Sequence, residues 1–463
     1  MTEPPSNPEP TEEAVITVPR LVVSAYKGRG GKTLATMALL SAFSRAGRRV
    51  AAFKNGPYYI DPGHHAAVLG SPSRNLDYVL MGPQVLERFY RYSSGCDLAV
   101  VEGNHGLYDS MDGRTDLGST AQLAKLLNAP VVLVVDGERA NRTLGALVRG
   151  LRQFDPGVRF IGAILTNVVP RQFDRLTEIV EAEGLTVVGI LPRDDALAKA
   201  MEYRHLGLVP VAERREPELV ELVQQRFAPR IDMDRLFALA REGSPPVRLR
   251  IPKDTANPGK KTARIGFLTG RPFTFYYPET LERASQLGEV RLLDPETDAT
   301  LPSLDLLVIG GGFPEVYAET LERNRSFRSS VRRFVEGGGK VYAECGGLMY
   351  LTDSISTPEG EHDMVGVIEG RTIQERRPIA HGYATARVLR DTLIAPRGSV
   401  LRGHEFHYSR VELRSPYDLA LEYERGAGLS NGRDGIQLRN VYAHYLHLHP
   451  ATYSVLDALF RYR

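Results

Sequence analysis

The sequence predicts two α/β domains in tandem, the first a doubly wound parallel sheet entered through a phosphate-binding loop. Three observations predict it. Between residues 20 and 191, short apolar runs of strand length alternate with helix-length runs across short connections. The alternation stops in a stretch dense in Pro, Gly and Lys and restarts at Arg264. Each half carries one Gly-rich turn between a strand and a helix, at residues 27–33 and again at 345–347. The boundaries that follow are a tail at 1–18, a first domain at 19–241, a linker at 242–262 and a second domain at 263–463.

Composition sets limits on class. The chain has 463 residues, enough for two or three domains, and a formal net charge of +2. That balance gives no reason to expect a nucleic-acid partner. Its two cysteines, Cys96 and Cys345, make no disulfide framework and suit a reducing cytoplasm. No apolar run approaches the length of a membrane span, so no membrane partner is expected. The first residues are rich in Pro, Glu and Thr, which reads as a disordered tail and not as a signal peptide. The expected location is the cytoplasm.

In chain order, the apolar run 20–25 is a buried strand, and 34–46 reads as a helix. Between them lies Tyr26-Lys-Gly-Arg-Gly-Gly-Lys-Thr33. Successive N–H groups of such a loop, with the helix N-terminus, cradle phosphate oxygens. Lys32 would neutralise the outer phosphates and Thr33 could ligate Mg²⁺. Tyr26 stands where the strict motif has its first glycine, so the fitting variant is K-G-x-x-G-K-T, with Lys27 as an additional lysine and Gly28, Gly30 and Gly31 in the loop. A second strand, 49–53, leads into Lys54-Asn-Gly-Pro-Tyr-Tyr-Ile-Asp-Pro62, a loop at the ligand edge of an open sheet. Asp61 is a candidate metal or substrate ligand there, though alone it also reads as an ordinary turn aspartate. His64 and His65 point in different directions on a helix start, which argues against a shared metal site. The strand 97–103 ends in Glu102, a carboxylate at the edge where a Mg²⁺-binding acid belongs. Helices at 120–127 and 142–153, strands at 130–136, 160–166 and 186–191, and an amphipathic segment at 216–241 complete the first half.

In the second half, strand 264–268, a helix begun at Tyr276, strand 304–309 with Gly310-Gly-Gly312, and a helix at 319–336 precede Lys340-Val-Tyr-Ala-Glu-Cys345. This is strand, sharp turn and helix with a thiol at the turn, the logic of a nucleophile elbow. There the sulfur should be exposed and its thiolate stabilised by the next helix N-terminus. Gly346 and Gly347 would let N–H groups approach a developing oxyanion. Taken alone, Cys345 also reads as a buried structural cysteine. A thiol nucleophile needs a base, and seven histidines lie downstream of it. Cysteine first and histidine late is the order of class I glutamine amidotransferases, in which Gly310–Gly312 would supply the oxyanion hole. Such a fold normally ends in His-x-Glu. Here His447-Leu-His449 puts histidine in the acid's place, which implies a dyad or another orienting group, with His449 in support of His447. Alternate histidines on a strand could also share a metal.

The phosphate loop resembles that of the ATPase group containing MinD, dethiobiotin synthetase and the nitrogenase iron protein. Over residues 21–463 the sequence resembles the cobyrinic acid a,c-diamide synthase family. The resemblance rests on Phe53-Lys and Tyr59-Ile-Asp-Pro62, Ser73-Arg-Asn-Leu-Asp77, Glu102-Gly with Gly106-Leu-Tyr-Asp109, and Arg204-His-Leu-Gly-Leu-Val209. It continues in Phe275-Tyr-Tyr-Pro-Glu279, Ala343-Glu-Cys-Gly-Gly-Leu-Met-Tyr350, Gly403-His-Glu-Phe-His-Tyr-Ser409 and Tyr445-Leu-His-Leu-His449. It implies a carbon–nitrogen ligase that amidates two acetate side chains of a corrinoid with glutamine and ATP–Mg²⁺. A carboxylate is activated as an acyl phosphate, and ammonia released at Cys345 displaces the phosphate. A second site in the same chain can deliver that ammonia unprotonated. By the same resemblance Cys345 is the nucleophile and His447 its base. Gly312 and Gly346 hold the oxyanion, and Thr33 and Glu102 hold Mg²⁺. Tyr58, Tyr59, Asp61 and Asp109 line the acid substrate. A homodimer is the assembly considered. The sequence departs from the family pattern at the phosphate loop, at Tyr58 in place of an aspartate, at Asn104-His105 in place of Val-Met, and at Asn167, one position late. These departures leave two related readings open, amidation of sirohaem or of nickel-sirohydrochlorin. A third, of another class, is a non-catalytic MinD-like regulator.

Overall fold

The computed structural model describes residues 11–194, 203–204, 207–208, 216–253 and 262–461. The chain divides into two units, Met1–Ala256 and Asn257–Arg463.

In the first unit every residue of the strand Arg20–Ala25 is buried, because a parallel neighbour lies on each side and helices cover both faces. The sheet has seven parallel strands. Their spatial order is Arg74–Leu76, Val50–Asn55, Leu98–Glu102, Arg20–Ala25, Val131–Asp136, Phe160–Val168 and Val187–Pro192. The chain order reverses at Arg20–Ala25, so the loop leaving it opens at the switch point where ligands of such sheets bind. The helix Lys32–Arg45 that follows is buried on nearly all sides, from Leu34 through Phe43. It is therefore a core element and not an amphipathic surface helix.

Two expectations are corrected here. Residues 11–16, expected within a disordered tail, form a strand, Thr11–Ile16. It pairs antiparallel with Val247–Pro252, which was expected within the linker. Val-Arg-Leu-Arg-Ile alternates with period two, and Ala14, Ile16 and Ile251 are buried; the Pro and Gly around it hid that pattern. Residues 1–10 of the tail and 254–261 of the linker lie outside the described residues, as does half of the 204–209 motif. The second correction concerns the amphipathic segment 216–241, which is not one helix. Glu216–Leu222 passes through irregular turns to Ala228–Arg230, and Met233–Glu242 restarts with Asp232 accepting from the Arg235 N–H. Pro229 explains the break, since it lacks a donor and crowds the preceding turn.

In the second unit a six-stranded sheet runs Gly288–Leu293, Ala263–Leu268, Leu306–Ile309, Lys340–Glu344, Val441–His444 and Ile436–Leu438. The first five are parallel and the last antiparallel. Apolar clusters cover its faces, one around Phe327, Leu348 and Tyr350, the other around Phe267, Tyr442 and Leu446. Two four-stranded sheets formed within residues 352–434 account for the strand-rich third. The helix expected at 319–336 is two, Ala318–Arg323 and Arg325–Glu336, because Asn324 leaves helical geometry and its side chain caps the Phe327 N–H. Among the described residues no helix is long and apolar enough to cross a membrane.

Candidate active sites

The phosphate loop begins where Arg20–Ala25 ends. Gly31, at φ 84°, is the residue on which the helix starts, and a methyl group there would lie 3.0 Å from Thr166 Oγ1. Both facts favour glycine. Gly30 is also tightly held, while Gly28 has room for a side chain. Lys32 is buried and donates to the carbonyls of Lys27, at 3.0 Å, and His105, at 2.5 Å. Burial, and next the charge of Lys54, lower its pKa to about 8. Lys27 offers the loop its carbonyl. Its own ammonium is half exposed, 3.9 Å from Asp136 and 5.1 Å from the Tyr26 ring.

Register places Lys54 opposite Glu102 on neighbouring strands. The Lys54 ammonium bridges Asp61 Oδ2 at 2.8 Å and Glu102 Oε1 at 2.9 Å, and donates to the Gly103 carbonyl. The Thr33 hydroxyl lies 2.9 Å from Glu102 and 3.2 Å from Asp61. The other Glu102 oxygen sits 2.6 Å from His65 Nε2. Burial would raise the Glu102 pKa, but Lys54 and His65 outweigh it and hold the carboxyl far below its ordinary range. His65 Nδ1 meets Ser73 Oγ at 3.0 Å, and Ser73 donates onward to the Ala52 carbonyl. Lys54 and Ser73 lie in the segments that carry the family resemblance and His65 was set aside as a metal ligand, but none of the three was assigned a role at this site. The available signal was a lysine closing an apolar strand at the ligand edge. Thr33, Asp61 and Glu102 supply hard oxygen donors at one point, the kind of set that Mg²⁺ takes when phosphates and water complete its shell.

Three residues that depart from the family pattern touch one another. The Tyr58 hydroxyl lies 3.2 Å from His105 Nε2 and accepts from Asn104 Nδ2 at 3.3 Å. Burial raises the Tyr58 pKa, so a neutral phenol stands where the resemblance implies a carboxylate. Asn75 donates to the Gly56 and Tyr58 carbonyls and pins this loop. Tyr59 begins the helix Ile60–Leu69. Asp109 is exposed and accepts the Gly106 N–H at 2.7 Å, so it shapes the 106–109 turn. Asn167 donates to Asp136 at 3.2 Å.

In the second unit Cys345 has φ 47° and ψ −102°, a conformation that a side chain bears only under constraint. The sulfur is not exposed as expected. Cys345 is 2% exposed, with Sγ 3.7 Å from the Phe406 carbonyl. Burial pushes the thiol well up, and the charges of Glu315, Glu344 and Glu405 add to that, against a hydrogen bond from the Gly346 N–H. Burial thus outweighs the short helix behind it, and the resting group is the thiol. His447 lies against the glycine loop beside the elbow. A methyl group on Gly311 would lie 2.5 Å from His447 Cε1, and one on Gly346 would lie 3.1 Å from Gly312 N. Elbow, glycine loop and histidine therefore converge. Glu344 Oε2 lies 3.4 Å from His447 Nδ1, while Glu344 Oε1 accepts from Tyr342 Oη at 2.5 Å and from the Leu448 N–H at 3.4 Å. His449 packs on Tyr277 at 4.1 Å, and its Nδ1 accepts the Ala451 N–H. His404 pairs through its backbone with His447 and stacks on it at 4.9 Å. Among the described residues no group of three or more His, Cys, Asp or Glu could hold a metal ion, so the shared-metal reading of the histidines gains nothing.

Buried titratable groups around this site set its acid stability. Burial pushes His404 well below the imidazole range, with nearby histidines adding, and lowers His444 to about 4. Burial raises Asp434 to about 7, although it accepts from the Tyr445 and Gly435 N–H groups. Between about pH 4 and 6.5 the unfolded chain protonates both histidines and leaves Asp434 bare; the folded chain does the reverse. Burial lowers His381 as well, so the histidines make stability rise with pH across this range while Asp434 opposes them. Asp434→Asn should make the rise steeper. Urea unfolding of the full chain across this range measures the slope, and a flat or falling series refutes the assignment.

Comparison with known proteins follows the same division. Residues 21–207 match the CobQ/CobB/MinD/ParA nucleotide binding domain, and residues 264–454 match the CobB/CobQ-like glutamine amidotransferase domain. The cobyrinate a,c-diamide synthase of Archaeoglobus fulgidus is 40% identical over 436 residues, covering 93% of this chain and 94% of its own. That of Methanosarcina barkeri is 35% identical over 476 residues, covering 96% and 95%. The hydrogenobyrinate a,c-diamide synthase of Streptomyces coelicolor is 38% identical over 479 residues, covering 93% and 94%. With a nucleotide-binding unit, an amidotransferase unit and relatives matched over nearly their whole length, the chain belongs to the cobyrinate a,c-diamide synthase family.

Proposed function

We propose that this chain converts the a and c acetate carboxylates of cobyrinic acid to amides, using ATP and glutamine. The observation that carries the reading is the full-length match to synthases so named, in a chain that keeps both half-sites. At the first site the loop N–H groups and Lys32 bind and orient the ATP phosphates, and a substrate carboxylate takes the γ-phosphoryl group to become an acyl phosphate. Thr33, Asp61 and Glu102 would hold Mg²⁺, which neutralises charge on the transferring phosphoryl group. Lys54 keeps the two carboxylates together, and His65 keeps Glu102 aimed. At the second site the Cys345 sulfur attacks the glutamine carboxamide while His447 takes the thiol proton and returns it to the leaving nitrogen, releasing ammonia. Water then hydrolyses the glutamyl thioester to glutamate and the free thiol. Gly312 and Gly346 N–H groups face the tetrahedral oxyanion. Ammonia then displaces phosphate from the acyl phosphate. Two free cysteines suit a reducing cytoplasm, the location we assign.

The other tetrapyrroles and the non-catalytic regulator are not favoured, since the matched relatives are named for cobyrinate or hydrogenobyrinate diamidation. Mass spectrometry of products from cobyrinic acid and from sirohaem, each with ATP and glutamine, tests the reading. Cobyrinic acid should become a diamide and sirohaem remain unchanged. Amidation of sirohaem, or no diamide from cobyrinic acid, overturns it.

A further inference from the structure

In this chain the acid's place in the His-x-Glu pattern is held by His449, and that leaves His447 without the usual acidic orienter. We infer that Glu344, the residue immediately before the nucleophile, is the carboxylate that orients His447. The inference rests on the glutaminase reading above.

The geometry comes from one strand. Lys340–Glu344 ends against Val441–His444 with Glu344 beside His444, and Cys345 donates its N–H to the His444 carbonyl. Residues two apart on a strand share a face, so Tyr342 and Glu344 point together, and their side chains are bonded. Tyr342 gives its proton to Glu344, so its oxygen accepts from His444 Nε2 at 3.0 Å. The Leu448 N–H also reaches the same carboxylate oxygen. With Oε1 fixed by these two donors, Oε2 is left facing His447 Nδ1 at 3.4 Å. That is the side of the imidazole whose proton an orienting acid must hold if Nε2 is to act as base. The pair is within ion-pair distance but poorly aligned for a hydrogen bond, as catalytic contacts often are before substrate binds.

Of the other acids near the elbow, Glu405 is committed elsewhere. Glu405 accepts the Ala427 and Gly428 N–H groups and lies 3.8 Å from His407. Around His447 the other groups packed on it are His404, stacked at 4.9 Å, and Phe275, edge-on at 6.0 Å. His444, three residues earlier, is buried and bonded to Tyr342. Of these, Glu344 alone brings a negative charge.

Glu344→Gln keeps the size and the Tyr342 contact but removes the charge, and Glu344→Asp keeps the charge on a shorter arm. Each would be assayed in the full chain with cobyrinic acid and ATP, using glutamine or a high concentration of ammonium chloride. For Glu344→Gln the ratio of glutamine-driven to ammonia-driven rate should fall about 100-fold, in kcat more than in KM for glutamine. The acid limb of the glutamine-driven pH profile should move to lower pH, because the imidazolium loses its counter-charge. Glu344→Asp should fall between wild type and Gln on both measures. An unchanged ratio, or a lowered ratio with an unmoved acid limb, overturns the assignment and leaves Glu344 as a brace. Failure of the parent reading looks different, since the wild-type chain itself would then draw nothing from glutamine.

Discussion

Cys345→Ser is expected to abolish product formation with glutamine, by roughly 10³-fold or more, while product continues to form when ammonium chloride is supplied at high concentration. The reason lies in the burial of the group. The thiol is already pushed well above its ordinary range by desolvation and three nearby carboxylates, and a serine hydroxyl in the same cavity would be harder still to deprotonate. Nothing else at the elbow can replace it: Gly346 and Gly347 offer only backbone, and in the proposed reaction His447 serves as the base. The ammonia route bypasses this step and draws only on the phosphate-loop unit. Parallel assays with the two nitrogen donors decide the matter. Glutamine-driven product that survives the substitution removes Cys345 from the mechanism, and loss of both activities would show that the two half-reactions are not separable.

The strand–turn–helix at Cys345 and the phosphate loop were legible because each is a local motif. Strand, turn and helix follow one another within about a dozen residues, and the side chains at the turn carry the chemistry. The sheet around each was legible for the same reason, since buried parallel strands announce themselves as apolar runs. What sequence could not show is long-range pairing. Lys54 and Glu102 are 48 residues apart, and only the strand register sets them opposite each other. Glu344 and His447 meet because Lys340–Glu344 pairs with Val441–His444, far along the chain. Tyr58, Asn104 and His105 read as separate departures from the family pattern and turn out to be one contact set. The expected thiolate failed for a related reason. A helix N-terminus was visible in the sequence, but the burial of Cys345 beneath the Phe406 carbonyl was not. The paired strands at residues 11–16 and 247–252 were missed because neither has an apolar core of its own and each needs the other to bury Ala14, Ile16 and Ile251.

Lys32→Ala should remove product with either nitrogen donor, by about 10²–10³-fold, because no acyl phosphate forms for ammonia to attack. The electrostatics of the loop explain why this lysine and not Lys27 carries the effect. Lys27 is half exposed, where solvent screens its charge. Lys32 is buried, donates to two backbone carbonyls, and stands near the Lys54 ammonium, so its charged form is held at a disadvantage, with a pKa of about 8. A phosphate group brought into the loop would relieve that disadvantage. The binding free energy of the anion is thereby concentrated on one residue. Lys54 is placed oppositely, its charge already spent between Asp61 and Glu102, and removing it would strand two buried carboxylates at a cost of roughly 3–5 kcal/mol in stability. Lys32→Ala should therefore fold with nearly wild-type stability and lose ATP binding, whereas Lys54→Met should lose stability first. Calorimetric titration with ATP alongside thermal unfolding of both variants separates the two roles. Retained ATP affinity in Lys32→Ala, or ammonia-driven product at more than about a tenth of the wild-type rate, would show that the loop does not work through this lysine.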